Sequence, residues 1–293
     1  MIRRLKLFEA ITVVLTLAIL VLPAGCAKNA KNNAPKFVSG VLQITGNGVG
    51  QPCRYTVDEL KGLQDAVVGV CYSTVNNVGT KNFFVGSGLS LSYLLTKAGI
   101  SDTAKTIKIT GADGYTIVLT REQLDERRFY FPGLMEGSDR EAVEVPAILA
   151  WEHREGSRDL SQARGSGLRL LIGQTGLNEV VVPAFVRDVA LIEVSTTEAG
   201  RWAPISAEPA PGEVEPGTGV VLQHPNLDTV KIYYTLDGSE PNEKSLVYNP
   251  GTTYFKQEPS RVIIVNQNMT IKALAVGLGK NNSDVATFAY KIH

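Results

Sequence analysis

Histidine and cysteine are scarce in this chain: its 293 residues contain three of each. His153, His224 and His293 stand far apart, and none has a metal-ligand spacing to a cysteine or to a second histidine. That excludes a zinc module and a c-type haem attachment, and each histidine reads as a surface side chain. Charge of one sign is missing too, with 29 basic side chains against 29 acidic ones and no run of either. The electrostatic footprint that nucleic acid requires is therefore absent. Gly86-Ser87-Gly88 and Gly165-Ser166-Gly167 lack the G-x-S-x-G spacing of a nucleophile elbow. No carboxylate pair stands in a glycosidase context, and Asp237 and Glu240 are explained by turn chemistry. Gly46-Asn47-Gly48-Val49-Gly50 is followed by Pro52 and the strand-like Arg54-Tyr55, not by the helix that a dinucleotide fingerprint needs, so it reads as a hairpin turn.

What is present begins with export. An apolar run over residues 11–22 follows Arg3, Arg4 and Lys6 and precedes Ala24-Gly25-Cys26. A basic segment, a short apolar segment and a small-residue exit describe an export signal, since a membrane span needs about 20 apolar residues. Cysteine directly after Ala-Gly resembles the lipobox of bacterial lipoproteins, with Pro23 where that family usually has leucine. The resemblance implies lipidation of Cys26 and a protein anchored in the bacterial cell membrane, facing the extracytoplasmic side. Arg3-Arg4 departs from the twin-arginine pattern, because Lys6 falls where a large apolar residue is wanted, so export of an unfolded chain is expected. Without residues 1–25, 26 basic and 28 acidic side chains remain, a net of −2. With Cys26 acylated, Cys53 and Cys71 are an even pair in an oxidising compartment, and a disulfide between them is expected.

A composition of 44% hydrophobic and 20% charged residues is ordinary for globular protein and allows two cores. Residues 27–36, rich in Lys and Asn, read as a flexible tether. Val41-Leu42-Gln43-Ile44-Thr45 alternates as a strand, and Thr56-Val57-Asp58-Glu59 is a capping box that opens a short helix through Leu63. Residues 66–72 read as a further strand. Residues 88–99 read as a helix with Leu91, Leu94, Leu95 and Ala98 on one face and Gly99 as its stop. Residues 106–110 and 115–119 form a hairpin around Asp113-Gly114, and Thr120 to Gln123 opens another helix. Residues 145–151, 168–172 and 186–194 supply strand or core material. Short helices mixed with strands predict an α+β domain. Residues 196–219, dense in Glu, Pro, Ala and Gly, read as the linker and entry to a C-terminal part.

That C-terminal part carries a resemblance. The run Tyr233-Tyr234-Thr235-Leu236-Asp237-Gly238-Ser239-Glu240-Pro241 is an alternating strand breaking on Asp-Gly. It is followed by Thr270-Ile271-Lys272-Ala273-Leu274-Ala275-Val276 and a closing strand with Phe288 and Tyr290. This order resembles the C-terminal domain family of chitobiases and β-hexosaminidases. It implies an all-β, immunoglobulin-like sandwich over residues 208–293, a non-catalytic accessory module of surface and secreted proteins.

A second resemblance covers the middle. Tyr55-Thr56-Val57-Asp58-Glu59-Leu60, Gly88-Leu89-Ser90-Leu91-Ser92-Tyr93-Leu94-Leu95, Asp113-Gly114-Tyr115, Gly167-Leu168-Arg169-Leu170-Leu171-Ile172-Gly173 and residues 186–194 resemble the molybdopterin-binding domain of the sulfite oxidase superfamily. The resemblance implies an α+β fold and a molybdopterin cofactor whose metal is bound by a cysteine thiolate in a C-x-x-N context. Ser73-Thr74-Val75-Asn76 occupies that place here, with Cys71 two residues earlier on the same strand face. A serine hydroxyl is a much poorer soft-metal donor than thiolate. Ala163-Arg164-Gly165-Ser166 stands where a His-Gly is common, and Arg164 and Arg169 are candidates to meet a pterin phosphate. The resemblance thus names Cys71, Ser73, Asn76, Arg164 and Arg169 as candidate cofactor residues, with Cys71 the candidate metal ligand.

The expected organisation is a signal peptide at 1–25, a tether at 26–36, a molybdopterin-binding-like domain at 37–196, a linker at 197–207 and a sandwich at 208–293. The departures at the ligand position favour a degenerate domain without cofactor, serving as a binding or scaffolding module for a surface or envelope partner. The alternative is a molybdopterin-dependent oxidoreductase with Cys71 on the metal.

Overall fold

Among the described residues strands predominate, and helices are few and short. The computed structural model describes residues 37, 40–76, 79–242, 244–248 and 262–293. The expected signal peptide, the lipidation site Cys26 and the tether lie outside them. Val41–Thr45 buries Leu42 and Ile44 and turns Gln43 outward, the period-two pattern of a strand lying on a core. It pairs antiparallel with Cys53–Thr56 and parallel with Val189–Ser195. Thr106–Gly111 and Thr116–Thr120 extend this to a five-stranded sheet, joined by the Asp113-Gly114 turn in which Gly114 takes a φ of 86°. A second sheet is antiparallel throughout, in the spatial order Arg164–Leu171, Ile148–Glu155, Lys81–Ser90, Val67–Val75. One apolar cluster joins the two sheets, with Leu42, Ile107 and Ile192 from the first and Tyr72, Phe84, Leu89, Ile148 and Leu170 from the second.

This architecture overturns the α+β molybdopterin-binding fold expected for the middle of the chain. The α-helices among the described residues are Val57–Lys61, Leu91–Lys97 and Arg121–Asp125, none longer than seven residues. Both expected capping boxes are present, at Thr56 with Glu59 and at Thr120 with Gln123, but each opens little more than one turn. The helix read over 88–99 is shorter than its apolar spacing suggested. Leu91, Leu94 and Leu95 are buried as that spacing required. Gly88, Leu89 and Ser90, however, end the ten-residue strand Lys81–Ser90. A Cβ on Gly88 would lie 2.0 Å from the Leu149 carbonyl oxygen, so glycine there serves a close approach of two strands. The strand itself escaped notice because Phe83, Phe84 and Val85 are all buried, which erases the alternation that marks a half-exposed strand.

The C-terminal part is a β-sandwich. One sheet holds Ser206–Glu208, Thr218–Gln223 and Ile263–Val265. The other holds, in spatial order, Gly212–Val214, Ala286–Ile292, Met269–Val276, Lys231–Thr235 and Leu246–Val247. Val220, Leu222, Ile232, Ile271, Ala275 and Phe288 fill the space between them. Trp202 and Ile205, within the expected linker, are buried in this second core. Gln123 fastens the two parts together. Its Nε2 donates to Gly277 O at 2.9 Å and to Lys280 O at 3.2 Å, and its Oε1 accepts from Gly279 N at 2.9 Å.

Candidate arginine-lined site

The strand Ile148–Glu155 is irregular along both edges at the same point. Against Lys81–Ser90 the register slips between Ser87, opposite Glu152, and Gly88, opposite Ala150. Against Arg164–Leu171 it slips between Gly165, opposite Glu152, and Arg169, opposite Ala150, so residues 166–168 face Trp151 alone. Bulges of this kind bend a strand and re-aim its side chains. Beyond them His153, Arg154 and Glu155 form one wall of an open cavity of about 540 Å³, and Arg164, Arg169, Arg187 and Asp188 form the rest.

Asp188 reaches this cavity through an uncommon backbone. Its φ is 47°, held by its carbonyl accepting from Ala112 N at 2.9 Å. Its carboxylate fits because Gly167 has no side chain: a Cβ there would lie 2.1 Å from Asp188 Oδ1. Gly167 also has a φ of 90°, which other residues resist.

The cavity is electropositive, with four arginines against two carboxylates. Arg169 is its buried member, 7% exposed, with its guanidinium over the Phe84 ring at 4.8 Å. Among the described residues, its Nε is the one buried side-chain polar atom without a hydrogen-bond partner. Burial, and then the neighbouring Arg187, pull the Arg169 pKa down from its ordinary value. His153 is half-buried, and its pKa is lowered to about 4 by that burial, then by Arg169 and Arg187, against a smaller opposing pull from Asp188. The imidazole is therefore neutral at physiological pH. The side chains of Arg154, Arg187 and Asp188 make no hydrogen bond or ion pair with any described residue. Converging guanidinium groups with spare donors, one of them desolvated, form an oxyanion receptor in chemical terms.

The residues expected at a molybdenum centre are distributed differently. Arg164 and Arg169 line the cavity, but Arg164 Nη1 already donates to Ser161 O and Ala163 O, both at 2.7 Å. Ser73 is fully buried; its Oγ donates to Gln174 Oε1 at 2.7 Å and accepts from Phe131 N at 3.0 Å, so the hydroxyl is consumed by packing. Asn76 Oδ1 accepts from Thr80 N at 2.8 Å in a turn. Cys71 Sγ donates to Arg158 O at 3.2 Å, and burial raises its pKa, outweighing the pull of Arg158. Cys71 and Ser73 lie outside the lining of the arginine cavity. No group of three or more His, Cys, Asp or Glu able to hold a metal occurs among the described residues. Ser73 and Asn76 are thus engaged within the protein, and Cys71 lies apart from Arg164 and Arg169.

The expected Cys53–Cys71 disulfide is likewise not formed. Both thiols are free: Cys53 Sγ donates to Gln51 O at 3.1 Å and Cys71 Sγ to Arg158 O. Two histidines are also less exposed than their spacing suggested. His224 is buried beside Trp202, with Nε2 against Ala203 O and Nδ1 accepting from Asn226 N. His153 lies in the cavity with Arg154, Arg187 and Asp188, none of which stood out in the sequence. The local sign of His153 and Arg154 is the charged run Glu152-His153-Arg154-Glu155 that closes an otherwise apolar strand.

A second cavity, of about 430 Å³, lies between the two cores, but its charged walls answer one another. Arg128 pairs there with Glu126 at 3.1 Å and with Glu179 at 3.0 Å. A third, of about 500 Å³, shares Arg187 with the arginine cavity and is otherwise lined mainly by Tyr115, Phe185 and neighbouring loop residues.

Comparison with known proteins adds a family for one part. The family described as Fn3 associated matches residues 220–290, within the C-terminal sandwich. No curated protein matches the chain. Among solved structures, the chain is weakly similar to the sulfane dehydrogenase SoxCD from Paracoccus pantotrophus. That match is 14% identical and covers 86% of this chain and 75% of the other, with a TM-score of 0.36. A likeness that loose carries no argument about this chain.

Proposed function

We propose that this protein is a lipid-anchored, extracytoplasmic binding module that captures a small oxyanion in its arginine-lined cavity, with the C-terminal sandwich as an accessory module. The observation that carries the oxyanion reading is Arg169: a charged side chain almost wholly removed from water, its Nε unpartnered, opening on a cavity shared with three other arginines. An unpaired buried donor costs about 1–3 kcal/mol, and a bound oxyanion removes that cost by supplying the acceptor. Support for a binding role over a molybdopterin-dependent oxidoreductase comes from Cys71 and Ser73, whose polar atoms are engaged by the protein itself. The membrane anchor rests on the basic–apolar–Ala24-Gly25-Cys26 order of the sequence.

Titration calorimetry of the purified protein with phosphate and with sulfate tests the binding claim. At least one of them binds, and Arg169→Met weakens that binding at least tenfold, about 1.4 kcal/mol, while leaving the folded protein equally stable or more so. Binding unchanged in Arg169→Met overturns the assignment. For the anchor, Cys26→Ser releases the protein from membranes in its native host; unchanged partition counts against lipidation. Stoichiometric molybdenum in the native protein would restore the oxidoreductase alternative.

A further inference from the structure

An arginine pocket of pure donors takes any small anion, but this one also contains an acceptor. Of its two carboxylates, Glu155 is already engaged, its Oε1 accepting from Asn82 Nδ2 at 3.3 Å. Asp188 is not engaged: no described residue donates to its side chain, and no described arginine pairs with it within 4 Å although four arginines line the same cavity. Its placement is specific, since a left-handed backbone at Asp188 and the missing side chain at Gly167 together bring the carboxylate to this wall. An ionised carboxylate is an acceptor only. Beside a bound anion it is repulsive, unless the anion carries a hydrogen that it can donate.

We propose that Asp188 makes this cavity selective for an oxyanion that retains a proton, that is, hydrogen phosphate, free or as a protonated phosphomonoester, and that it excludes sulfate. The inference rests on the anion-binding role proposed above. The guanidinium groups of Arg154, Arg169 and Arg187 supply the charge, and the P–OH group donates to the Asp188 carboxylate. Sulfate has four acceptor oxygens and no hydrogen at neutral pH, so one of its oxygens would face the carboxylate without a bond. Rejection through a group that only the right ligand satisfies is a general source of specificity, stronger than charge alone.

The test is calorimetry at about pH 8, where inorganic phosphate keeps one proton whereas sulfate and phenyl phosphate have none. Phosphate is expected to bind at least about tenfold more tightly than sulfate. Phenyl phosphate, repeated at about pH 5.5 where it regains a proton, distinguishes the sources. Binding there identifies a phosphomonoester as an accepted ligand, and its failure there assigns the site to the free ion; both results require the proton. Asp188→Asn keeps a side chain that tolerates the left-handed backbone and supplies an N–H donor in place of the charge. The variant is expected to bind sulfate at least about tenfold more tightly than the unaltered protein does, collapsing the preference. Sulfate binding as tightly as phosphate in the unaltered protein, or a preference that survives in Asp188→Asn, overturns the inference and leaves the anion site standing. Binding of neither anion sinks the anion site and this inference together.

Discussion

The two cores of this chain treat their buried polar groups differently. Around the C-terminal core they are matched by neighbours. Tyr290 Oη donates to Pro209 O at 2.7 Å, Tyr248 Oη accepts from Leu222 N at 3.1 Å, and Ser283 Oγ accepts from Ala275 N while donating to Asp284 O, both at 2.9 Å. In the first core Ser73, Gln174 and Arg128 are matched as fully, the last donating to Gln123 O, Gly173 O, Glu126 and Glu179. Arg169 breaks the pattern. Matched groups account for architecture, because their hydrogen bonds end inside the protein. The unmatched one has donor capacity left for something outside it, and the difference between the two cores therefore separates a structural module from one that carries a site.

The sharpest way to break that comparison is to disconnect the cores. Gln123→Ala removes the side chain that bonds Gly277, Gly279 and Lys280 and also caps the helix at Thr120. A loss of about 3 kcal/mol is expected, with one denaturant transition dividing into two. Trp151 reports on the first core and Trp202 on the second. A single unshifted transition would show that the cores cohere by other means. Next in size, Ser73→Ala leaves Gln174 and Phe131 N without their buried partner and costs about 2 kcal/mol. Because that hydroxyl is structural, phosphate affinity stays the same; a weakened affinity would place Ser73 in the site after all.

The smallest effect concerns acid. His153 has its pKa depressed from 6.5 to about 4 in the folded chain, so the unfolded chain binds the proton first as pH falls. Stability from this group is complete above about pH 6.5 and is lost progressively down to about pH 4, some 1–2 kcal/mol after allowance for its partial exposure. His153→Gln lacks this component, so its stability declines less over that window. Denaturation curves of equal pH slope in the two proteins would remove His153 from the cavity's electrostatics.

Much of the local structure was legible. Leu42 and Ile44 alternate and are buried, Thr56 with Glu59 and Thr120 with Gln123 cap helices, and Gly114 and Gly238 take the positive φ that Asp-Gly turns require. Fold class was not, because short helices looked as important as the strands between them and the doubly buried strand Lys81–Ser90 has no alternation to read. Of the site, Arg164 and Arg169 were legible. His153 and Arg187 were not, since a polar side chain beside an apolar run looks the same whether it meets water or a cluster of charges. The cysteine count paired Cys53 with Cys71, and a count contains no information about the distance between two thiols.

By itself, then, the sequence determined the elements whose causes lie within a few residues: strands from period-two burial, turns from Asp-Gly, helix starts from capping boxes. Tertiary structure alone decided the cavity. Arg154, Arg169 and the adjacent pair Arg187-Asp188 come from three separate segments, and they line one cavity beside two register slips at Trp151 and a left-handed residue at 188. Register is set by pairing between distant strands, where a slip of one residue turns every following side chain to the opposite face. No local pattern encodes which slip occurs, and the placement of these charges follows from it.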